Sequence, residues 1–151
     1  MAIKITIHQR QTDFRVATRP LKKVLASFLH HKNVLSSEVI LHFVSEKTIQ
    51  ALHKQFFNDP SSTDCISLPI DPPSDASPYA ILGEIFVCPK VACKFAALHD
   101  KDPYQEILLY TVHGLLHLLG FDDTTPDAKK IMRSEERKAL RYINMLGTVK
   151  Q

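Results

Sequence analysis

Residues 107–120 read ILLYTVHGLLHLLG, and a helix of that composition has no polar face to leave in water. Such a segment has to sit at the centre of the molecule, covered on several sides, and the rest of the fold must be layered around it. At this length, and interrupted by two histidines, it is too short to span a bilayer. Asp102-Pro103 marks its start, a capping residue followed by a proline suited to the first helical position, with Gln105 placed to complete a capping box. Gly120 marks its end, because glycine accepts the left-handed conformation just past a helix.

The flanking sequence supplies the layers. Ile3, Ile5 and Ile7 alternate as in a half-buried strand, and Leu21, Val24, Leu25, Phe28 and Leu29 follow helical spacing from Pro20 to about Lys32. EVILHFV (38–44) reads as a second strand, and Ser45 as the N-cap of a helix burying Ile49, Leu52 and Phe56. TDCISLPI (63–70) and AILGEIFVC (80–88) read as third and fourth strands, joined by a Pro- and Ser-rich surface loop. Pro89 opens a helix with Val91, Phe95 and Leu98 turned inward. Thr125-Pro126 opens a last one with Ala128, Ile131, Met132, Ala139, Ile143 and Leu146 as its buried stripe and Gly147 as its end. The expected fold is therefore α+β: a small mixed four-stranded sheet packed with about five helices, forming one domain over residues 1–151.

Charged residues at 23% and a hydrophobic set at 44% place the chain with ordinary soluble globular proteins, and a net charge of +3 permits an acidic partner such as RNA without demanding one. The three cysteines, Cys65, Cys88 and Cys93, contain no CxxC pair and fit a reducing cytosol better than a disulfide framework. The N-terminal MAIKITIHQR alternates apolar and polar residues and has no signal-peptide core, so a cytoplasmic location is expected.

The two histidines of the central helix, His113 and His117, are four residues apart and differ by about 40° in direction, so they leave the helix on one face. Neutral imidazole is the commonest protein ligand for zinc, and two on one face call for a third ligand. A turn at Gly120 can return the carboxylate of Asp123 towards them, while Asp122 is placed to cap the last helix. The layout H-x-x-x-H-x-x-G-x-x-D is similar to that of zinc proteases, but those carry a glutamate base directly after the first histidine, where this chain has Gly114. A peptidase reading loses its base, whereas three protein ligands still leave coordination positions open for hydrolysis.

Three separated blocks resemble the YbeY family of bacterial metal-dependent endoribonucleases. HGLLHLLGFDD (113–123) is similar to the family signature H-G-x-L-H-L-x-G-Y-D-H, TDCISLPI to its T-D-V-L-S-F-P strand, and LGEIFV (82–87) to its L-G-D-I strand. The resemblance implies one divalent metal per chain on His113, His117 and Asp123, with zinc first and manganese or nickel as alternatives. It implies cleavage of single-stranded RNA in maturation of the 3′ end of small-subunit ribosomal RNA and in ribosome quality control. Ribosomal RNA and the ribosome are then the expected partners, with no membrane and no DNA among them.

The chain departs from the family pattern in three places. Asp123 stands where the family has a histidine, which makes the ligand set one charge more negative and the ion a weaker Lewis acid. Phe57 stands where the family has an arginine implicated in handling RNA, and a phenyl ring cannot clamp a phosphate. Glu84 replaces the aspartate of the L-G-D-I strand. Glu84 and Asp64 are candidates for orienting the attacking water, though either also serves to satisfy strand or turn hydrogen bonds. Lys129, Lys130, Arg133 and Arg137 form a candidate phosphate track on the last helix, and the same residues also fit a solvated face balanced by Glu135 and Glu136. The rival reading is a ribosome-associated RNA-binding module that kept the fold and lost the chemistry; a metallopeptidase comes third.

Overall fold

The computed structural model describes residues 3–146, so the expected helix end at Gly147 lies outside the described residues. Strands β1 (Lys4–Arg10), β2 (Glu38–Val44), β3 (Cys65–Pro69) and β4 (Ile81–Val87) form one sheet in the order β1-β2-β4-β3. The β1–β2 and β2–β4 pairs are parallel and β3 runs antiparallel along the edge beside β4. A parallel neighbour needs a crossover, and helix α1 (Thr18–His31) provides it between β1 and β2. Helices α2 (Glu46–Phe57), α3 (Pro89–His99), α4 (Pro103–Leu118) and α5 (Pro126–Met145) complete a mixed α+β fold with the five helices and four strands expected.

Alternation along the strands divides the sheet into two unlike faces. On one, Ile85 and Gly83 meet α4 closely: a Cβ added at Gly114 would lie 2.7 Å from the Ile85 side chain, and one at Gly83 2.7 Å from Leu118. Both glycines permit that approach, and α4 lies against the sheet with Leu115, Leu116, Ile107 and Leu108 buried around it. On the other face, Ile66, Leu68 and Phe86 pack with Ile49 and Leu52 of α2 in a smaller cluster. Among the described residues no helix is long and apolar enough to cross a membrane.

Three expected buried faces are corrected. Phe56 is 46% exposed, because β3 is a five-residue edge strand that leaves the last turn of α2 uncovered. Helix α3 turns inward through Pro89, Ala92 and Ala96, leaving Phe95 and Leu98 exposed; small residues allow it close to its neighbour, and that closeness outweighed side-chain hydrophobicity. On α5, Met132, Ala139 and Ile143 are buried, while Ile131 and Leu146 are exposed and Ala128 is half-buried. The capping of α4 also differs: Asp102 accepts from the Tyr104 N–H, but the Gln105 amide pairs with Asn144 of α5 rather than reaching back to the cap.

Candidate metal centre

Helix α4 is buried almost all round, yet Gln105, Leu109, His113 and His117 form a four-residue-spaced stripe that reaches solvent. The helix ends where Gly120 adopts φ 103°, with the Phe121 N–H donating to the Leu116 carbonyl and the Gly120 N–H to that of His117, a Schellman closure. The chain then reverses. Asp122 accepts from the backbone N–H groups of Asp123 and Thr124, building the turn rather than capping α5, whose cap is Thr125. With its turn held in this way, Asp123 points back at the helix. Its Oδ2 lies 3.4 Å from His113 Nε2 and 3.5 Å from His117 Nε2, and the two Nε2 atoms are 3.0 Å apart.

Hydrogen bonds on the far side of each ring decide what these atoms present to one another. His117 Nδ1 lies 3.0 Å from the Phe121 carbonyl oxygen, which can only accept, so Nδ1 carries the proton and Nε2 a lone pair. His113 Nδ1 donates to Glu136 Oε2 at 2.6 Å, leaving its Nε2 in the same state when the ring is neutral. Two lone pairs and a carboxylate thus converge on one small space, an arrangement that a cation relieves. Tetrahedral donors about 2.0–2.1 Å from a zinc ion stand about 3.3–3.4 Å from each other, close to the observed separations. Among the described residues, this trio is the group of potential ligands whose donor atoms all come within 4.8 Å of one another. The Glu136 hydrogen bond raises His113 above the ordinary imidazole value against the opposing effect of burial.

Two cavities flank the imidazoles. The first, of about 350 Å³, is bounded by His113, Asp123, Glu136 and Asp64 together with Lys129 and Arg133. The second is bounded by His113, His117, Ser67, Pro69 and Phe57. Asp64, Lys129 and Arg133 are therefore brought to the centre, whereas Lys130 and Arg137 are exposed on α5 and line neither cavity. Glu84 is a correction. It alternates with Gly83 and Ile85, so it leaves the sheet on the side away from α4, and its Oε1 lies 3.0 Å from His42 Nε2. The structure thus does not bring Glu84 to a water at the histidines. Gly114, where a peptidase would carry its base, has no room for a glutamate: even its Cβ would fall 2.7 Å from the Ile85 side chain, 2.8 Å from Cys65 Sγ and 3.0 Å from Ser67 Oγ.

The sequence profile described as endoribonuclease YbeY matches residues 4–144. The chain belongs to the YbeY family. It is 40% identical over 146 residues to the endoribonuclease YbeY of Protochlamydia amoebophila, a match spanning 97% of each chain. To that of Chlamydia caviae it is 39% identical over 143 residues, spanning 93% of this chain and 90% of the relative. The solution structure of TM1509 from Thermotoga maritima superposes with a TM-score of 0.67 at 25% identity, covering 92% of this chain and 88% of that one. The structure of this YbeY protein brings the paired histidines of its central helix together with Asp123, and Phe57 borders the cavity beside them.

Glu136 is the residue of this centre that sequence reasoning missed, counted there only as a charge on a solvated face. Its signal was positional. Met132, Glu136, Ala139 and Ile143 follow one helical stripe, and a carboxylate in the stripe that α5 turns towards the core needs a partner.

Proposed function

We propose that this chain is a metal-dependent endoribonuclease that hydrolyses single-stranded RNA at an ion held by His113, His117 and Asp123. The observation that carries the reading is the convergence of two imidazole lone pairs and a carboxylate beside a cleft bearing Asp64, Lys129 and Arg133, in a member of the YbeY family. Zinc is the first choice of ion, since two nitrogens and one carboxylate oxygen suit it; manganese and nickel accept the same donors. What the ion would supply there is Lewis acidity, which makes water acidic enough to attack at neutral pH and draws charge from a phosphoryl oxygen.

The chain's own groups do the rest. Glu136 and the Phe121 carbonyl hold the two rings in the tautomer that presents Nε2, as outer partners of ligating histidines commonly do. Lys129 and Arg133 neutralise the phosphate backbone where it enters the cleft. The Asp64 carboxylate is the proton acceptor for the attacking water, because among the candidate bases it is the one that faces this cleft. Residues 1–151 are taken as one cytoplasmic domain. Its substrate is the 3′ end of small-subunit ribosomal RNA, met on the ribosome and linked to ribosome quality control.

The test uses purified chain, a labelled single-stranded oligoribonucleotide and its duplex, with and without chelator, beside His117→Ala. Cleavage of the single strand that is lost with chelator and in the variant is expected. RNA binding with no metal-dependent cleavage would instead establish the rival, a ribosome-associated binding module. Elemental analysis of Asp123→Ala checks the third ligand, for which we expect metal content to fall well below one ion per chain.

A further inference from the structure

Phe57, the last residue of α2, is 57% exposed although it is among the most apolar side chains of the molecule. Its neighbour Phe56 is also exposed, but of the two only Phe57 borders the cavity shared with His113 and His117. The ring is backed on one side. His53 packs against it at a centroid distance of 5.6 Å and a tilt of 59°, and His53 is itself anchored through Nδ1, 2.9 Å from the Ser61 carbonyl. The result is an aromatic ring propped beside the metal ligands, with more than half of its surface open to an incoming group. Across the histidines, the other cavity carries the cations Lys129 and Arg133, and the aromatic ring in its lining, Tyr110, is buried rather than open to an incoming base.

We infer that Phe57 is a stacking platform for one unpaired nucleobase of the RNA strand, on the opposite side of the metal centre from the phosphate-binding Lys129 and Arg133. The inference rests on the endoribonuclease reading and adds its substrate geometry. An RNA strand has two chemistries to offer a protein, a charged backbone and π-faced bases, and the two cavities divide these between them. Stacking on Phe57 needs a base that is not held in a duplex, because a paired base has both faces covered by its neighbours in the helix. Preference for single strands then has a structural source one residue wide. It also gives the strand a fixed station: the base seats against Phe57 while the following backbone passes the histidines towards α5.

Steady-state cleavage of a single-stranded oligoribonucleotide by the metal-loaded full chain tests this. Phe57→Ala should raise KM about ten-fold, equivalent to about 1.4 kcal/mol and within the range for one base–aromatic stack, with kcat little changed. Phe57→Trp should restore the wild-type KM and Phe57→Leu should not, since leucine keeps the apolar surface but has no π-face. Phe56→Ala, with its side chain outside the cavity, should behave as wild type. Oligonucleotides carrying one abasic position, walked along the strand, should include one that weakens the wild type to the level of Phe57→Ala and leaves that variant indifferent. A Phe57→Ala KM within two-fold of wild type, or full function in Phe57→Leu, overturns the platform alone. A wild type that neither binds nor cuts single-stranded RNA overturns the endoribonuclease reading and the platform together.

Discussion

His113 owes its role to a residue 23 positions away. Glu136 accepts from its Nδ1 at 2.6 Å and so determines which nitrogen faces His117 and Asp123. Outer partners of this kind are worth about 10–100-fold in metal affinity. Glu136→Ala should therefore weaken binding by about that factor in a chelator competition, and Glu136→Gln, whose amide oxygen still accepts from Nδ1–H, by less. Equal losses in the two variants would mean that the negative charge of Glu136, and not its acceptance from Nδ1–H, sets the affinity. At this scale the sequence was legible where chemistry and spacing coincide: paired histidines on one helical face, and an aspartate after a glycine turn. It put Glu84 among the candidates for orienting water and left Glu136 on a solvated face, and the structure reverses the two. One faces away from α4 by strand parity and the other lies under His113 by helical phase.

Helix α4 combines two demands that pull against each other, burial on most sides and access for its histidines. The compromise is visible in its packing: Gly114 lets the helix approach β3 and β4, and its carbonyl accepts from Ser67 Oγ at 3.1 Å. Gly114→Ala would gain about 1 kcal/mol of helix propensity but places a methyl 2.7 Å from Ile85 and 2.8 Å from Cys65 Sγ. Overpacking of that kind costs about 1–3 kcal/mol, so the net effect is a loss of up to about 2 kcal/mol, seen as a lower urea midpoint at unchanged m-value. A more stable variant would show that the helix–sheet contact has slack. Elements were the most legible level, with the strands and helices falling close to where alternation and helical spacing put them. Faces were less so. Helix α3 buries alanines in preference to Phe95 and Leu98, because the geometry of approach, not side-chain hydrophobicity, selected its inner side.

Across the whole molecule, α1 is tied to α5 and the metal loop by Lys32, whose Nζ lies 2.8 Å from Glu135 Oε1 and 5.8 Å from the centre of the Phe121 ring. The Lys32 hydrogen bond lowers the Glu135 carboxyl below its ordinary value of 4.5, outweighing the opposing effect of burial. A lowered folded pKa means that the unfolded chain takes up the proton first as acid is added. The pair therefore stabilises fully above about 4.5, and its contribution drains away as pH falls through the lowered folded value. Glu135→Gln should cost about 0.5–1 kcal/mol at pH 7, with the gap to wild type closing under acid in urea titrations run at several pH values. A gap that stays constant with pH would assign the loss to packing.

The sequence alone determined the identity of the elements, the central position of residues 107–120 and the chemistry of the candidate ligands, because these follow from periodicity and from the nature of single side chains. Only the tertiary structure decided which side of α4 remains open, and it decided this by what packs where. The stripe from Gln105 to His117 reaches solvent because the sheet, α3 and α5 account for the other sides. It also decided that Asp64, Lys129, Arg133 and Phe57 border the histidines while Glu84, Lys130 and Arg137 do not. Those residues come from four different elements or their flanking loops. Their meeting depends on the register and crossing of whole elements, which no local pattern of residues encodes.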